Sequence, residues 1–323
     1  MVPDTALSLL LAGVLFALVL AGLMLIIARR LELIAHPNLR SSHVIPTPSG
    51  GGVALVLPLL AYLWILAQDG VAEAGALLWG GGLIAVVGFW DDLRELGPGV
   101  RLVCHAAAVG GLLWAAGLPL GPAMLVLVAL ALIWFVNLYN FMDGIDGLAA
   151  AQCLGLCVGL QLLGGGLPGW LGDCLWLLAG CSVGFLAFNW PPARIFMGDV
   201  GSGFLGYLLA GLALLVWQQN LLPVTAIVIL GAGFWFDASY TLAVRVLTQQ
   251  PFTQAHRSHL YQKVAARRGH RWTTTAFLLY FFLWLLPQAW LTLQLPRFAL
   301  LWLLVAVAPL AVVAWRMGAG RPE

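Results

Sequence analysis

An all-α polytopic membrane protein is the fold class this sequence predicts, and three observations predict it. The 323 residues are 62% hydrophobic with a mean hydropathy of +0.97, far above an ordinary soluble protein. Only 9% of them are charged. Apolar windows close to the roughly 20 residues a spanning helix needs recur along the whole chain. No polar stretch is long enough for a separate domain, so residues 1–323 read as one integral membrane unit.

About eleven transmembrane windows follow: 6–28, 51–67, 71–89, 101–117, 120–139, 147–163, 170–188, 200–217, 221–247, 273–293 and 298–316. The second contains Pro58 and is short. The ninth is long, contains Asp237 and is expected to kink or to project from the membrane. The first window has no basic segment ahead of it and is too long for a signal-peptide core. It reads as a retained span with a periplasmic N-terminus and Arg29-Arg30 on the cytoplasmic side.

Alternating sides along the chain places loops 29–50, 90–100, 140–146, 189–199 and 248–272 on one face, together with the C-terminal tail. Fourteen of the fifteen Lys and Arg residues lie in or beside those segments, Arg297 being the exception. That asymmetry makes the face cytoplasmic and puts the C-terminus there. The net charge of +2, with no basic helix, gives no basis for nucleic-acid binding. The five cysteines sit inside apolar runs without a CxxC pair and read as small buried hydrophobes.

The polar loops carry the chemistry. In "GFWDDLRELGPG", Asp91 and Asp92 are adjacent carboxylates that repel unless a proton or cation is shared between them. Mg²⁺ suits them, since it prefers oxygen ligands and bridges carboxylates to substrate phosphates. The alternative is a solvated turn at a helix end. In "NFMDGIDG", Asp143 and Asp146 are expected on one face of a first helical turn, where acids cap free N–H groups. Capping accounts for one aspartate. Two, preceded by Asn137 and Asn140, suggest a pocket for a ligand rich in hydroxyl and amide groups.

"FNWPPARIFMGDVGSGFLGY" presents Asp199 in a loop before the eighth window, with glycines that permit close backbone approach and Phe196 able to stack on a base. "AHRSHLYQKVAARRGHRW" is the most basic segment. Its Lys263, Arg267, Arg268 and Arg271 read as an anchor to anionic lipid, whereas His256 and His259 are candidates for a diphosphate or a metal. In the first loop Arg40, Ser42, His43 and Thr47 can donate to phosphate or sugar oxygens, or simply belong to a linker. Asp237, within a span, is a candidate for either structural support or substrate contact; Arg245 lies two turns away, too far to be a clean partner.

In their order, "PTPSGGG", "DDLREL", "NFMDGIDGL", "FMGDVGSG", "FDASYTLAVRVL" and "HRSHLYQK" resemble the polyprenyl-phosphate N-acetylhexosamine-1-phosphate transferases, glycosyltransferase family 4, over roughly residues 36–272. The resemblance implies transfer of an N-acetylated sugar 1-phosphate from a UDP-sugar to undecaprenyl phosphate with release of UMP. It also implies Mg²⁺, with Mn²⁺ as an alternative, and a bacterial inner-membrane location with the site facing the cytoplasm. A homodimer is compatible with it. By position, Asp91 and Asp92 match the family's aspartate pair and Asp199 its metal-binding aspartate. Asn140, Asp143 and Asp146 match the nucleotide-sugar segment, and Phe196 the aromatic near uracil. Arg257 and His259 are kept from the histidine motif resembling "DRxHLHH", while Tyr261 and Gln262 replace its last two histidines. That variant resembles the O-antigen branch using 6-deoxy sugars such as N-acetylfucosamine or N-acetylquinovosamine, and argues against a muramyl-pentapeptide substrate.

Both substrates are anionic, so a carboxylate-lined site must work through a metal. The expectation is that Asp199 with one of Asp91 and Asp92 (Asp92 in the simplest pairing) holds Mg²⁺. The other orients or deprotonates the lipid phosphate; Arg257 and His259 neutralise the diphosphate, with His256 and Thr47 among the substrate contacts. A multi-span transporter and an intramembrane aspartyl protease are the rival readings. The first lacks a matching gate among the outward loops. The second needs two aspartates facing each other within the bilayer.

Overall fold

The chain is described here from a computed structural model covering residues 4–37, 42, 45–94, 96–251 and 256–321. All eleven apolar windows become helices. Among the described residues eight helices are long and apolar enough to cross a membrane: α1 (Asp4–Arg30), α3 (Ala72–Leu93), α4 (Pro98–Ala116), α5 (Pro122–Met142), α7 (Gly169–Asn189), α8 (Asp199–Gln218), the rod from α12 (His270–Tyr280) to α13 (Leu286–Gln294), and α14 (Ala299–Met317). Two are shorter, α2 (Val53–Gln68) and α6 (Leu148–Leu163), at 16 residues each. At about 1.5 Å per residue these reach only about 24 Å. The ninth window does break, into α9 (Val224–Leu230) and α10 (Ala232–Leu247), with a 75° bend at Gly231.

The described loops hold a strand pair and a helix that hydropathy does not reveal. Strands β1 (Ile34–Ala35) and β2 (Thr47–Pro48) pair antiparallel. Helix α11 (Leu260–Arg268) lies inside the segment read as the basic loop 248–272.

Packing centres on α8, whose side chains are nearly all buried among α2, α3 and α5, while α1 packs along α7. Small residues make the approach of α2 and α8 possible. A Cβ on Gly201 would stand 2.7 Å from Gly52 Cα and 2.3 Å from Met197 Cγ, so neither backbone can retreat. Gly201→Val is therefore expected to destabilise the protein by on the order of 1–3 kcal/mol, read as a lower thermal midpoint in detergent. An unchanged midpoint contradicts the contact.

This packing brings the polar loops to one end of the bundle. Asp92 at the end of α3 touches the start of α8, Asp146 before α6 reaches Ala193 before α8, and His270 at the start of α12 reaches Asp146 and Ser42. All five cysteines are free thiols, four of them fully enclosed.

Candidate active site

The site begins with a helix end that needs capping. The first N–H groups of α8 have no partner within the helix. Asp92 supplies both acceptors: Asp199 N donates to its Oδ1 at 2.9 Å and Val200 N to its Oδ2 at 3.2 Å. A carboxylate at this end also matches the helix dipole. Gly198, at φ +75°, makes the turn, and a Cβ there would lie 2.5 Å from Asp92 Oδ2. Asp91 points elsewhere. It accepts from Leu96 N at 2.6 Å and from Arg101 Nη1 at 2.5 Å. The same Nη1 reaches Asp199 Oδ2 at 3.1 Å, so one guanidinium from the first turn of α4 links Asp91 to Asp199. Asp199 is the first residue of α8, not part of the preceding loop.

The second wall comes from the turn between α5 and α6. Asp143 and Asp146 were expected in a first helical turn. Both precede α6, which starts at Leu148 after Gly147 in the left-handed region, and neither caps it. Asp146 instead ties the loops together, accepting from Ala193 N at 3.0 Å and meeting His270 Nδ1 at 3.1 Å. Asn189 fixes the same corner by accepting from Gly147 N at 3.0 Å and donating to Ile195 O at 2.9 Å. Asn140 donates to Ser202 Oγ at 3.1 Å.

The result is a cavity of about 260 Å³ walled by Asp92, Asn140, Asp143, Asp146, Phe196 and Asp199, with Ser42 and Ser49 at its edge. Phe196 is held by backbone bonds on both sides: its N–H donates to Pro48 O and its carbonyl accepts from Gly51 N, each at 2.8 Å. Burial pushes the Asp143 carboxyl well above the usual carboxylate range, and the charges of Asp199, Asp92 and Asp146 push it further. The cavity thus carries more negative charge than it can hold without a proton or a cation.

The histidine segment lies behind this wall. His259 is buried at the start of α11, with Nδ1 3.6 Å from Asp237 Oδ1 and its ring stacked on Tyr261. Tyr261 donates to Phe141 O at 2.8 Å, and a Cβ on Gly144 would lie 2.0 Å from its hydroxyl. Tyr261 therefore stands between His259 and the cavity. Burial, then the charges of His259 and Arg245, hold His256 down to about 4, which leaves it neutral at pH 7. Thr47 is buried in the strand pair and donates to Ile45 O, while its neighbour Ser49 reaches the cavity. Arg257 is exposed. The cavity thus gathers Asp92, Asn140, Asp143, Asp146, Phe196 and Asp199. It does not include Thr47, His256, Arg257 or His259, and Asp91 stands outside its lining, joined to it through Arg101 and through its own side-chain contact with Asp199. Arg40 and His43 lie outside the described residues.

Asp237 is a structural group. Fully buried, it accepts from Leu260 N at 2.8 Å and Tyr261 N at 2.9 Å, capping α11 from a different helix. Arg245 does bond elsewhere, to Gln250, Pro251 O and Ser258. Sequence reasoning passed over Arg101, Asn189 and His270 as site residues. Arg101 had a readable signal, a lone cation four residues after the Gly97-Pro98 break; His270 was hidden within a run that reads as a lipid anchor.

Among the described residues no three His, Cys, Asp or Glu side chains form a ready cage for a metal. The donor set nevertheless fits Mg²⁺. Hard carboxylate oxygens of Asp92, Asp143 and Asp199 share one over-charged cavity, and Mg²⁺ commonly takes one or two carboxylates, completing its shell with water and substrate phosphates.

A predominantly helical, multi-pass membrane protein with Asp92, Asp143, Asp146 and Asp199 gathered at one end of the bundle is the class these features define. Residues 74–217 match the family model described as glycosyl transferase family 4. A probable undecaprenyl-phosphate N-acetylglucosaminyl 1-phosphate transferase of Bacillus subtilis is 31% identical over 261 residues, covering 74% of this chain and 72% of the relative. A decaprenyl-phosphate N-acetylglucosaminephosphotransferase of Mycobacterium leprae is 34% identical over 58% of this chain and 56% of its own length. A phospho-N-acetylmuramoyl-pentapeptide-transferase of Deinococcus radiodurans is 32% identical over 56% of this chain and 66% of its own. The chain belongs to glycosyl transferase family 4, as a membrane-embedded transferase.

Proposed function

We propose that this chain transfers an N-acetylated sugar 1-phosphate from a UDP-sugar to undecaprenyl phosphate, releasing UMP. The observation that carries the reading is the convergence of Asp92, Asp143, Asp146 and Asp199 on one cavity, beside an apolar groove of about 530 Å³ along α5. Leu138 of that groove and Asn140 of the cavity lie within one turn of each other at the end of α5, so the groove ends at the level of the cavity and a lipid tail in it would bring its phosphate to that level. Family membership favours transfer over the transporter and protease readings.

In the proposed reaction an acceptor phosphate oxygen attacks the sugar-bearing phosphorus. The bond from that phosphorus to the bridging oxygen breaks, and the bridging oxygen leaves with UMP. Asp92, Asp143 and Asp199 would hold Mg²⁺, which when bound neutralises the phosphate charges and the developing charge on the leaving oxygen. Phe196 would stack on the uracil. Arg101 holds Asp199 in place, and Asn140, fixed by Ser202, is set to hydrogen-bond the sugar. Asp92 keeps the start of α8 in register with α3.

The pathway we favour is O-antigen or a related envelope glycan at the bacterial inner membrane. Tyr261 and Gln262, at the two altered histidine positions, have internal duties here. Gln262 Oε1 accepts from His259 N at 3.3 Å, and Tyr261 presses on Gly144 in the cavity wall. A wall reshaped in this way supports a sugar differing from those of the histidine-cluster branch.

UMP release from a panel of UDP-N-acetylhexosamines, with undecaprenyl phosphate and Mg²⁺, tests the proposal. Asp199→Asn is expected to lower turnover by about a hundredfold or more while still inserting, and a chelator should abolish it. Full turnover in both conditions rules the reading out.

A further inference from the structure

The four cations that read as one lipid anchor separate in the structure. Lys263 Nζ donates to Arg321 O at 3.0 Å, and Arg271 donates to Pro191 O at 2.9 and 3.2 Å. Both tie the segment to the protein. Arg267 and Arg268 are exposed and line a different feature, an apolar groove of about 400 Å³ between α11, α12 and α14. Neither has a carboxylate partner among the described residues. Arg267 Nη1 meets only the weak acceptor Met317 Sδ at 3.2 Å, and the Arg268 guanidinium lies 5.8 Å from the Trp272 ring centre.

The groove has a built floor. Pro309 lacks an N–H, which leaves Val305 O outside the helix ladder, and Trp284 Nε1 donates to that oxygen at 3.3 Å. One residue on, the Tyr280 hydroxyl donates to Ala306 O, just before the π-helical turn Phe281–Leu285. The helices are pinned together at this level. The turns between there and Met317 stay open as the groove. It shares no lining residue with the carboxylate cavity or with the groove along α5.

We propose that this groove binds one anionic phospholipid, its acyl chain along Phe277, Leu310 and Val313 and its phosphate between Arg267 and Arg268. Charge complementarity selects the occupant. The arginines lie at the loop end of two largely lipid-facing spans, the headgroup level, with Trp272 exposed beside them. A second copy of this chain is a poor fit, because a symmetric contact through this face would set cations against cations.

Native mass spectrometry of the full chain in detergent, titrated with phosphatidylglycerol or phosphatidylcholine, tests the proposal. One phosphatidylglycerol should be retained in preference to phosphatidylcholine. The double variant R267Q/R268Q, on exposed positions, should bind it roughly 30-fold more weakly. V313W, which fills the groove from an exposed position, should lose it with both arginines intact. Equal retention of phosphatidylcholine, or unchanged binding in either variant, overturns the site. Displacement of the phospholipid by undecaprenyl phosphate reassigns the groove to the acceptor lipid. A lipid-free dimer that V313W splits reassigns it to a second copy.

Discussion

Replacing Asp143 by asparagine is expected to lower UMP release by about a hundredfold or more while leaving the fold intact. The carboxyl sits in the cavity wall, raised by burial and then by the charges of Asp199, Asp92 and Asp146. Its raised value means the folded protein prefers the neutral form, so any stability this group contributes is present at low pH and lost as pH rises. Asparagine, neutral and of similar shape, keeps that preferred state. The thermal midpoint without divalent cation should therefore not fall.

The metal-bound protein should behave differently. Binding Mg²⁺ requires the Asp143 proton to leave, so the apparent Mg²⁺ affinity should rise about tenfold per pH unit until the carboxyl ionises unaided. The Mg²⁺-induced rise in thermal midpoint reports this affinity without any turnover. In Asp143→Asn the pH slope should flatten and the rise should shrink. An unchanged slope with unchanged UMP release removes Asp143 from the cation site.

The helices were legible because the apolar windows are long and the Gly and Pro breaks between them are sharp. So was the gathering of acidic turns, since alternation of spans alone puts residues 91–92 and 198–199 at one end. The structure brings them into contact through Asp92 and the first N–H groups of α8. What hydropathy could not give is how an acid is used. Asp92 and Asp146 both hold neighbouring backbone, Asp143 faces the cavity, and Asp91 is held by Arg101. These roles depend on which N–H groups two distant segments leave unpaired, which is a tertiary fact. Helix α11 was hidden for a similar reason: its nine residues are too few and too mixed, with Lys263, Arg267 and Arg268 among them, to read as a span, and part of its cap comes from another element through Asp237.

That cap gives the largest stability effect expected outside the cavity. Asp237→Ala removes the acceptor of Leu260 N and Tyr261 N, the partner of Thr241 Oγ1 at 3.2 Å, and the oxygen facing His259 Nδ1. The site is fully buried, so water cannot replace the lost bonds without the helix end opening. At roughly 1–3 kcal/mol for each stranded buried N–H, the loss should be on the order of 3 kcal/mol. Asp237→Asn keeps one oxygen and should lose about half as much. The damage should also be local, with amide exchange accelerating at Leu260 and Tyr261 well before the rest of the bundle. Because Tyr261 leans on Gly144 in the cavity wall and bonds Phe141 O, turnover should fall with the cap although Asp237 is fully buried and does not line the cavity. If Asp237→Ala melts like the parent protein, or exchanges uniformly, α11 is held by its own sequence and Asp237 does not support it.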